Sequence, residues 1–555
     1  VSGRKAGRLT LWFVLLPFFA GVLSLRANVY ATDIQLNNSL YAGAIIPGSF
    51  VRISYILNEP ATAGVAVNIY SGASLIWNFT APGGGAGASA GSNSVVWTGT
   101  NLFGSNVAAG IYSVAITAAA DGYSTWTNIT DDSANFSVFE PSGVVVNKNI
   151  HSPYYGRVFI GNDVASGGVP VGLLKYNADG SAADEGGFST GGYPWSGGTY
   201  MNPSPWKMGI SDDDRLYVED WSGNGTVMSF DQVISSNYLN VLRMDNYSSF
   251  GDAFLSGPFV RGAGTNTEIW MADAFASETE GAGIVRWFLS ADGTLAPNDQ
   301  GEVIVTLTNN SDLDYAPFAV SVGSNNYIYT SQLVVNPHLS RSNTPATSTP
   351  LLCFPPFSES SGAETVSFWK LGNNDPNLVN PYGVSVDPTA TFVAAAIRGQ
   401  GADDEDAVHG GVSVFRAADG SLITNITQDP NGNIGQVYID VAWDNVSNLY
   451  ALDYAEHVWR VYSPPGANQA TTAAAPIIQV LTNYIVPRLS NPTDSMGQLE
   501  FTLTGQINVT YAIQESGDLA AWTTVTNNFS ADPIRAVSLP ADSEAAFFRA
   551  VIVVP

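Results

Sequence analysis

Four aromatic residues, Tyr193, Trp195, Tyr200 and Trp206, stand in one glycine-rich stretch between Phe188 and Trp206. Aromatic faces beside Gly and Asn can stack on sugar rings or grip a peptide. Packing between sheets uses the same residue types. A second set is acidic: Asp403, Asp404, Glu405 and Asp406 run together, and His409 follows. Carboxylates suit Ca²⁺, a hard cation that takes several oxygens. Four adjacent acids cannot all face one ion, so solvated surface charge explains the run as well. A third set alternates, Asp429, Asn431 and Asn433, like half of a calcium loop without its distal Glu. Turn chemistry accounts for that spacing too. Ca²⁺ is therefore the one cofactor these residues suggest, and neither set compels it.

Signatures of catalysis are scarce. His151, His338, His409 and His457 have no metal-ligand spacing, and no Gly-x-Ser-x-Gly elbow occurs. The single cysteine, Cys353, lies in the apolar string Leu351-Leu352-Cys353-Phe354, which reads as a buried strand rather than a nucleophile's setting. No residue is assigned a catalytic role.

The elements that position these residues repeat. One apolar strand recurs six times: Arg157–Ile160, Arg215–Val218, Glu268–Met271, Tyr327–Thr330, Thr391–Ala394 and Asn448–Ala451. Their second residues are 58, 53, 59, 64 and 57 apart. Several copies run into an acid: Asp163, Asp220, Asp273 and Asp453. A preceding strand recurs in Pro317–Val322 and Pro381–Val386. A following strand runs three times into Ala-Asp-Gly, at Ala178, Ala291 and Ala418. Asp-Gly between apolar strands marks a hairpin, because glycine supplies positive φ. Four short strands per unit, six times over, make a β-propeller. In a propeller, the loops between strands two and three share a face with the loops joining blades. The long insertions, including 188–206, 273–283, 331–350 and 398–411, all fall there.

The whole chain reads as all-β, a six-bladed β-propeller at 141–466 flanked by two sandwiches. Residues 1–31 have the basic start, apolar run and Val29-Tyr30-Ala31 ending of a cleaved signal peptide. Residues 32–140 alternate like a β-sandwich, 467–475 read as a linker, and 476–555 as a small C-terminal sandwich. No later stretch is apolar enough to span a membrane.

Particular strings resemble known families. Trp97-Thr98-Gly99-Thr100-Asn101 with Ala109-Gly110-Ile111-Tyr112 is similar to the FlgD-type Ig-like domain, which implies its fold alone. The repeats resemble the NHL, YWTD and SMP-30-like propellers, some of which are lactonases or lyases with an axial metal. The string YAIQESGDLAAWTTVTNN resembles C-terminal modules of secreted proteins from Verrucomicrobia and related bacteria. The domain order resembles uncharacterised secreted proteins of those bacteria.

The chain carries 21 basic and 48 acidic residues, a net charge of −27. Loss of residues 1–31 removes four basic residues and makes it −31. Nucleic acid is excluded as a partner, since phosphate contacts need clustered Lys and Arg. The expected protein is secreted or on the cell surface, without catalysis, and binds a glycan or an extracellular protein. A metal-dependent hydrolase or lyase of the SMP-30/NHL type is the alternative. It requires three or more Asp, Glu, His or Asn side chains converging on the axis. A purely structural surface component is the third reading.

Overall fold

A computed structural model describes residues 28–553, except 46–49, 132, 185, 199–202, 224, 243–254, 275–281, 297–298, 307–316, 333–349, 360–361, 372–377, 379, 399–409, 427–436, 473–474, 482–486, 496–497, 506–509, 518–521, 531–533 and 541–546. The recurring apolar strand becomes the second strand of each of six four-stranded antiparallel sheets: Val158–Asn162, Leu216–Asp220, Glu268–Asp273, Ile328–Gln332, Phe392–Ile397 and Leu449–Asp453. Each is flanked by an inner first strand and a third strand. The first strands, Pro141–Val146, Met208–Ile210, Leu255–Arg261, Pro317–Val322, Pro381–Val386 and Tyr438–Trp443, pack in that order, and the last returns to the first. This is the propeller architecture. Neighbouring blades cover both faces of each sheet, which is why Phe392–Ile397 is buried at every residue rather than at every second one.

Local turn chemistry sets the hairpins. Gly180, Gly293 and Gly420 have φ of 83°, 80° and 71°, and Asp179, Asp292 and Asp419 cap the turns through the backbone N–H groups of Ser181, Thr294 and Ser421. Asp387 and Asp444 end two first strands and bind the backbone N–H groups of Phe392 and Asn448 across their hairpins.

Ring closure comes from outside the repeats. The sixth blade takes its outer strand from Thr127–Asn128, which pairs with Val458–Ser463. Trp126 packs edge-on against Phe392 and Trp443 beside it.

The domain boundaries differ from those read in the sequence. The segment expected as a linker forms the strand Gly466–Thr472, and Ile477–Val480 follows; both pair with Gly110–Tyr123. The propeller is thus inserted between two strands of the N-terminal sandwich. The small, polar string Gly-Ala-Asn-Gln-Ala-Thr-Thr carries no apolar alternation, so its strand character comes from the 14-residue partner strand beside it. Trp97 is fully buried in the sandwich core; its indole N–H donates to Thr100 O at 2.8 Å. The C-terminal module is two three-stranded sheets, packed around residues that include Phe501, Leu503, Tyr511, Ile513, Val537 and Leu539.

Residues 28–31 also depart from expectation. Val29, Tyr30 and Ala31 are at most 1% exposed, and Ala31 opens the first strand of the sandwich. A signal segment removed after Ala31 would take core residues with it.

Candidate functional site

The sandwich packs on one face of the propeller. Tyr30 lies against Tyr155 and Ala178, and its hydroxyl meets that of Tyr450 at 3.3 Å. Asn448 Nδ2 donates to Asn28 O at 2.9 Å, and Thr32 Oγ1 donates to Tyr155 O. Gly156 permits this approach: a Cβ there would lie 2.8 Å from the Tyr30 ring. Tyr155, Ala178 and Asn448 belong to hairpins of the first and sixth blades. The sandwich therefore sits on the hairpin face. The opposite face holds the ends of the second strands and the starts of the first strands, from which the long insertions depart.

At the centre of that loop face lies a plug of aromatic rings from three blades. Trp206 stacks on Trp221 with centroids 5.5 Å apart, Phe318 meets Trp221 edge-on at 5.6 Å, and Tyr382 lies 4.8 Å from Phe318. Trp206, expected on a ligand surface, is instead 2% exposed, and its indole N–H donates to Ser256 Oγ at 3.2 Å. Filling the mouth of the ring buries it. Tyr193 and Trp195 are half-buried nearby, with ring centroids 4.5 Å apart. The Tyr193 hydroxyl donates to Asp220 Oδ2 at 2.6 Å, and Trp195 Nε1 donates to Thr190 O at 3.0 Å. These bonds hold the pair on the edge of the first and second blades and leave part of each ring exposed. Tyr200, Asp403, Asp404, Asp406, His409, Asp429, Asn431 and Asn433 lie outside the described residues.

Beside the plug is a recess lined by Pro141, Asp163, Trp206, Tyr382, Arg398, Ile439 and Tyr454, with about 10 Å³ of space. That is room for about one water or one ligand group. Asp163 is 2% exposed and its Oδ1 makes no hydrogen bond among the described residues. Burial, then the charge of Glu140, push its carboxyl up to about 8. Arg398 Nη1 donates to the Tyr382 hydroxyl at 2.6 Å, with the guanidinium 5.0 Å from the ring centroid. Burial and a hydrogen bond to Glu140 raise the Tyr454 phenol. A neutral carboxyl, a phenol and a guanidinium thus face one small space. The acids ending the second strands are visible in the sequence; nothing in the sequence separates Asp163 from Asp220 or Asp453. Those two cap the turns that follow them, at Ser222 N and Glu456 N, and the second oxygen of Asp453 faces Arg460 Nε at 3.7 Å. Arg398 and Glu140 carry no sequence signal at all.

The axis itself encloses about 80 Å³. Its described lining is mainly Val, Ala, Gly and Ser, with Lys148, Lys207 and Asp440 as the charged members. Lys207 Nζ donates to Asp440 Oδ1 and to Ile439 O, both at 2.8 Å, and Asp440 Oδ2 accepts from Val144 N at 3.0 Å. The pair joins the second, sixth and first blades across the closing seam. Glu219, missed in the sequence, is fully buried beside it; its Oε2 accepts from Gly257 N at 2.9 Å, and burial raises its carboxyl well above the usual range. One carboxylate already bound to a lysine does not make the three-ligand set that an axial metal requires. No group of three His, Cys, Asp or Glu able to hold a metal occurs among the described residues. Cys353 is fully buried, and burial pushes its thiol up to about 12. Among the described residues no helix is long and apolar enough to cross a membrane.

A β-propeller inserted into a β-sandwich is the class that these features define. No protein-family model matches the chain, and no curated protein does. Among solved structures the chain is similar to a glycoside hydrolase at 8% identity and a TM-score of 0.27, covering 61% of this chain and 92% of that one. It is also similar to dihydro-heme d1 dehydrogenase NirN in complex with DHE, at 9% identity and a TM-score of 0.25, covering 63% and 80%.

Proposed function

We propose that this is a secreted or cell-surface recognition protein, without catalysis of its own, whose propeller holds a glycan on its loop face. The observation that carries this reading is the placement of the sandwich on the hairpin face. Its described contacts are all with the hairpin face; the Asp163 recess lies on the loop face, and the part-exposed rings of Tyr193 and Trp195 lie at the edge of the first and second blades. Ring edges supply apolar contact to a sugar face, and the recess takes one polar group. A screen of glycans and secreted proteins against the full chain tests it. Glycan binding that Trp195→Ala weakens about tenfold, the loss of one stacking contact worth roughly 1–1.5 kcal/mol, supports the reading. Binding of a protein but no glycan, or glycan binding indifferent to Trp195→Ala and Asp163→Asn, overturns it. The axial-metal hydrolase reading has no ligand set to support it among the described residues.

A further inference from the structure

The largest of the clefts described lies elsewhere, on the hairpin face between the second and third blades. It measures about 320 Å³, within the size range of small-molecule sites. The described contacts of the sandwich are with the first and sixth blades, and no described sandwich residue lines this neighbouring position. Each of the two blades sends a hairpin to the rim: Asp213 and Arg215 from the second blade, Thr267 and Ser290 to Gly293 from the third.

The polar groups in the cleft are of mixed kind. Arg215 Nη2 donates to Ser229 Oγ at 3.0 Å, and among the described residues no ion pair engages the guanidinium. Asp213 accepts from Ser211 Oγ and from Gly264 N, at 2.5 and 2.8 Å, which fixes its carboxylate at the rim. Asp292 is held by Thr294 N at 3.0 Å. Thr267 is 1% exposed and lines the cleft; the Tyr217 phenol is the polar neighbour of its hydroxyl, which among the described residues completes no hydrogen bond of normal geometry. A buried hydroxyl without a partner costs about 1–3 kcal/mol, which a ligand or water in the cleft would offset.

The charges choose the ligand class. An anion attracted to Arg215 meets the carboxylates of Asp213 and Asp292. A cation attracted to those carboxylates meets Arg215. A neutral molecule with many hydroxyls uses both, because each hydroxyl donates and accepts. We propose that this cleft binds a neutral, hydroxyl-rich small molecule of about monosaccharide size. Arg215 and Thr267 contact its inner hydroxyls, and Asp213 accepts from one at the rim. The site is separate from the loop face and does not depend on the glycan reading above.

Saturation-transfer NMR on the full chain tests the site. The probes are glucose, galactose, mannose and myo-inositol, with glucuronate and glucosamine as charged counterparts. At least one neutral probe is expected to bind at or below about 10 mM, with its charged counterpart about tenfold weaker. Arg215→Met and Thr267→Val are each expected to weaken binding about tenfold, and Val96→Thr, exposed on the sandwich, to leave it unchanged. Thr267→Val nearly preserves shape, so a folding defect in the arginine variant leaves the test intact. The proposal is overturned if no neutral probe binds, if charged probes bind as tightly, or if Thr267→Val binds like the parent.

Discussion

The two faces of the propeller are built to different rules. On the hairpin face at the first and sixth blades, direct hydrogen bonds cross the junction: Asp444 binds Val446 N, Asn448 N and Asn448 Nδ2, and Asn448 Nδ2 reaches Asn28 O of the sandwich, while the Asn28 side chain and Asn448 Oδ1 keep no partner among the described residues. On the loop face, aromatic rings close the mouth and Asp163 keeps one oxygen unmatched in a small recess. The first arrangement stabilises a permanent contact. The second keeps a polarity that a partner can satisfy.

The sharpest way to break this contrast is at residues 28–31. A chain starting at Asn28 is expected to keep its full stability. A chain starting at Thr32 loses Val29, Tyr30 and Ala31 from the core, and Tyr30 alone accounts for about 3–5 kcal/mol by comparison with buried aromatic truncations. Denaturant midpoints of the two chains decide; equal midpoints would mean that the junction is not structural. Next in size is the closing seam. Lys207→Met leaves Asp440 buried without its cation and is expected to cost about 3–5 kcal/mol, with much of that regained in the Lys207→Met, Asp440→Leu double variant. A double variant no better than the single one shows that Val144 N, not the ion pair, dominates the seam.

A smaller effect distinguishes the loop face by pH. The Asp163 carboxyl is raised from the ordinary carboxylate range to about 8, so the folded protein holds a proton that the unfolded chain releases above about 4. Its contribution is fully present below pH 4 and is lost as pH rises through 8. Asp163→Asn, which cannot ionise, is expected to lose less stability than the parent between pH 5 and 9. Parallel pH profiles for the two proteins would contradict the burial of this carboxyl. The same variant joins Trp195→Ala in the glycan screen.

Much of the fold is legible locally. Six apolar strands near one spacing, and three Ala-Asp-Gly hairpins, become the blades and turns where they were expected. The candidate site was less legible. The expectation that Trp206 serves a ligand failed because its exposure depends on Trp221, Phe318 and Tyr382, which arrive from three blades. Asp163 is one of several equivalent acids along the chain; only the neighbours Glu140 and Tyr454 make it different.

By itself the sequence determined period, strand order, hairpin chemistry and the face that carries the insertions, because each depends on residues within a few positions of one another. Tertiary structure decided how the ring closes, that the propeller is inserted into the sandwich, and which carboxyls keep an unmatched oxygen. Those outcomes rest on pairs such as Thr127–Ser463, Asn28–Asn448 and Lys207–Asp440, hundreds of residues apart. Chain periodicity carries no record of such pairs; they follow from how the blades pack around one axis.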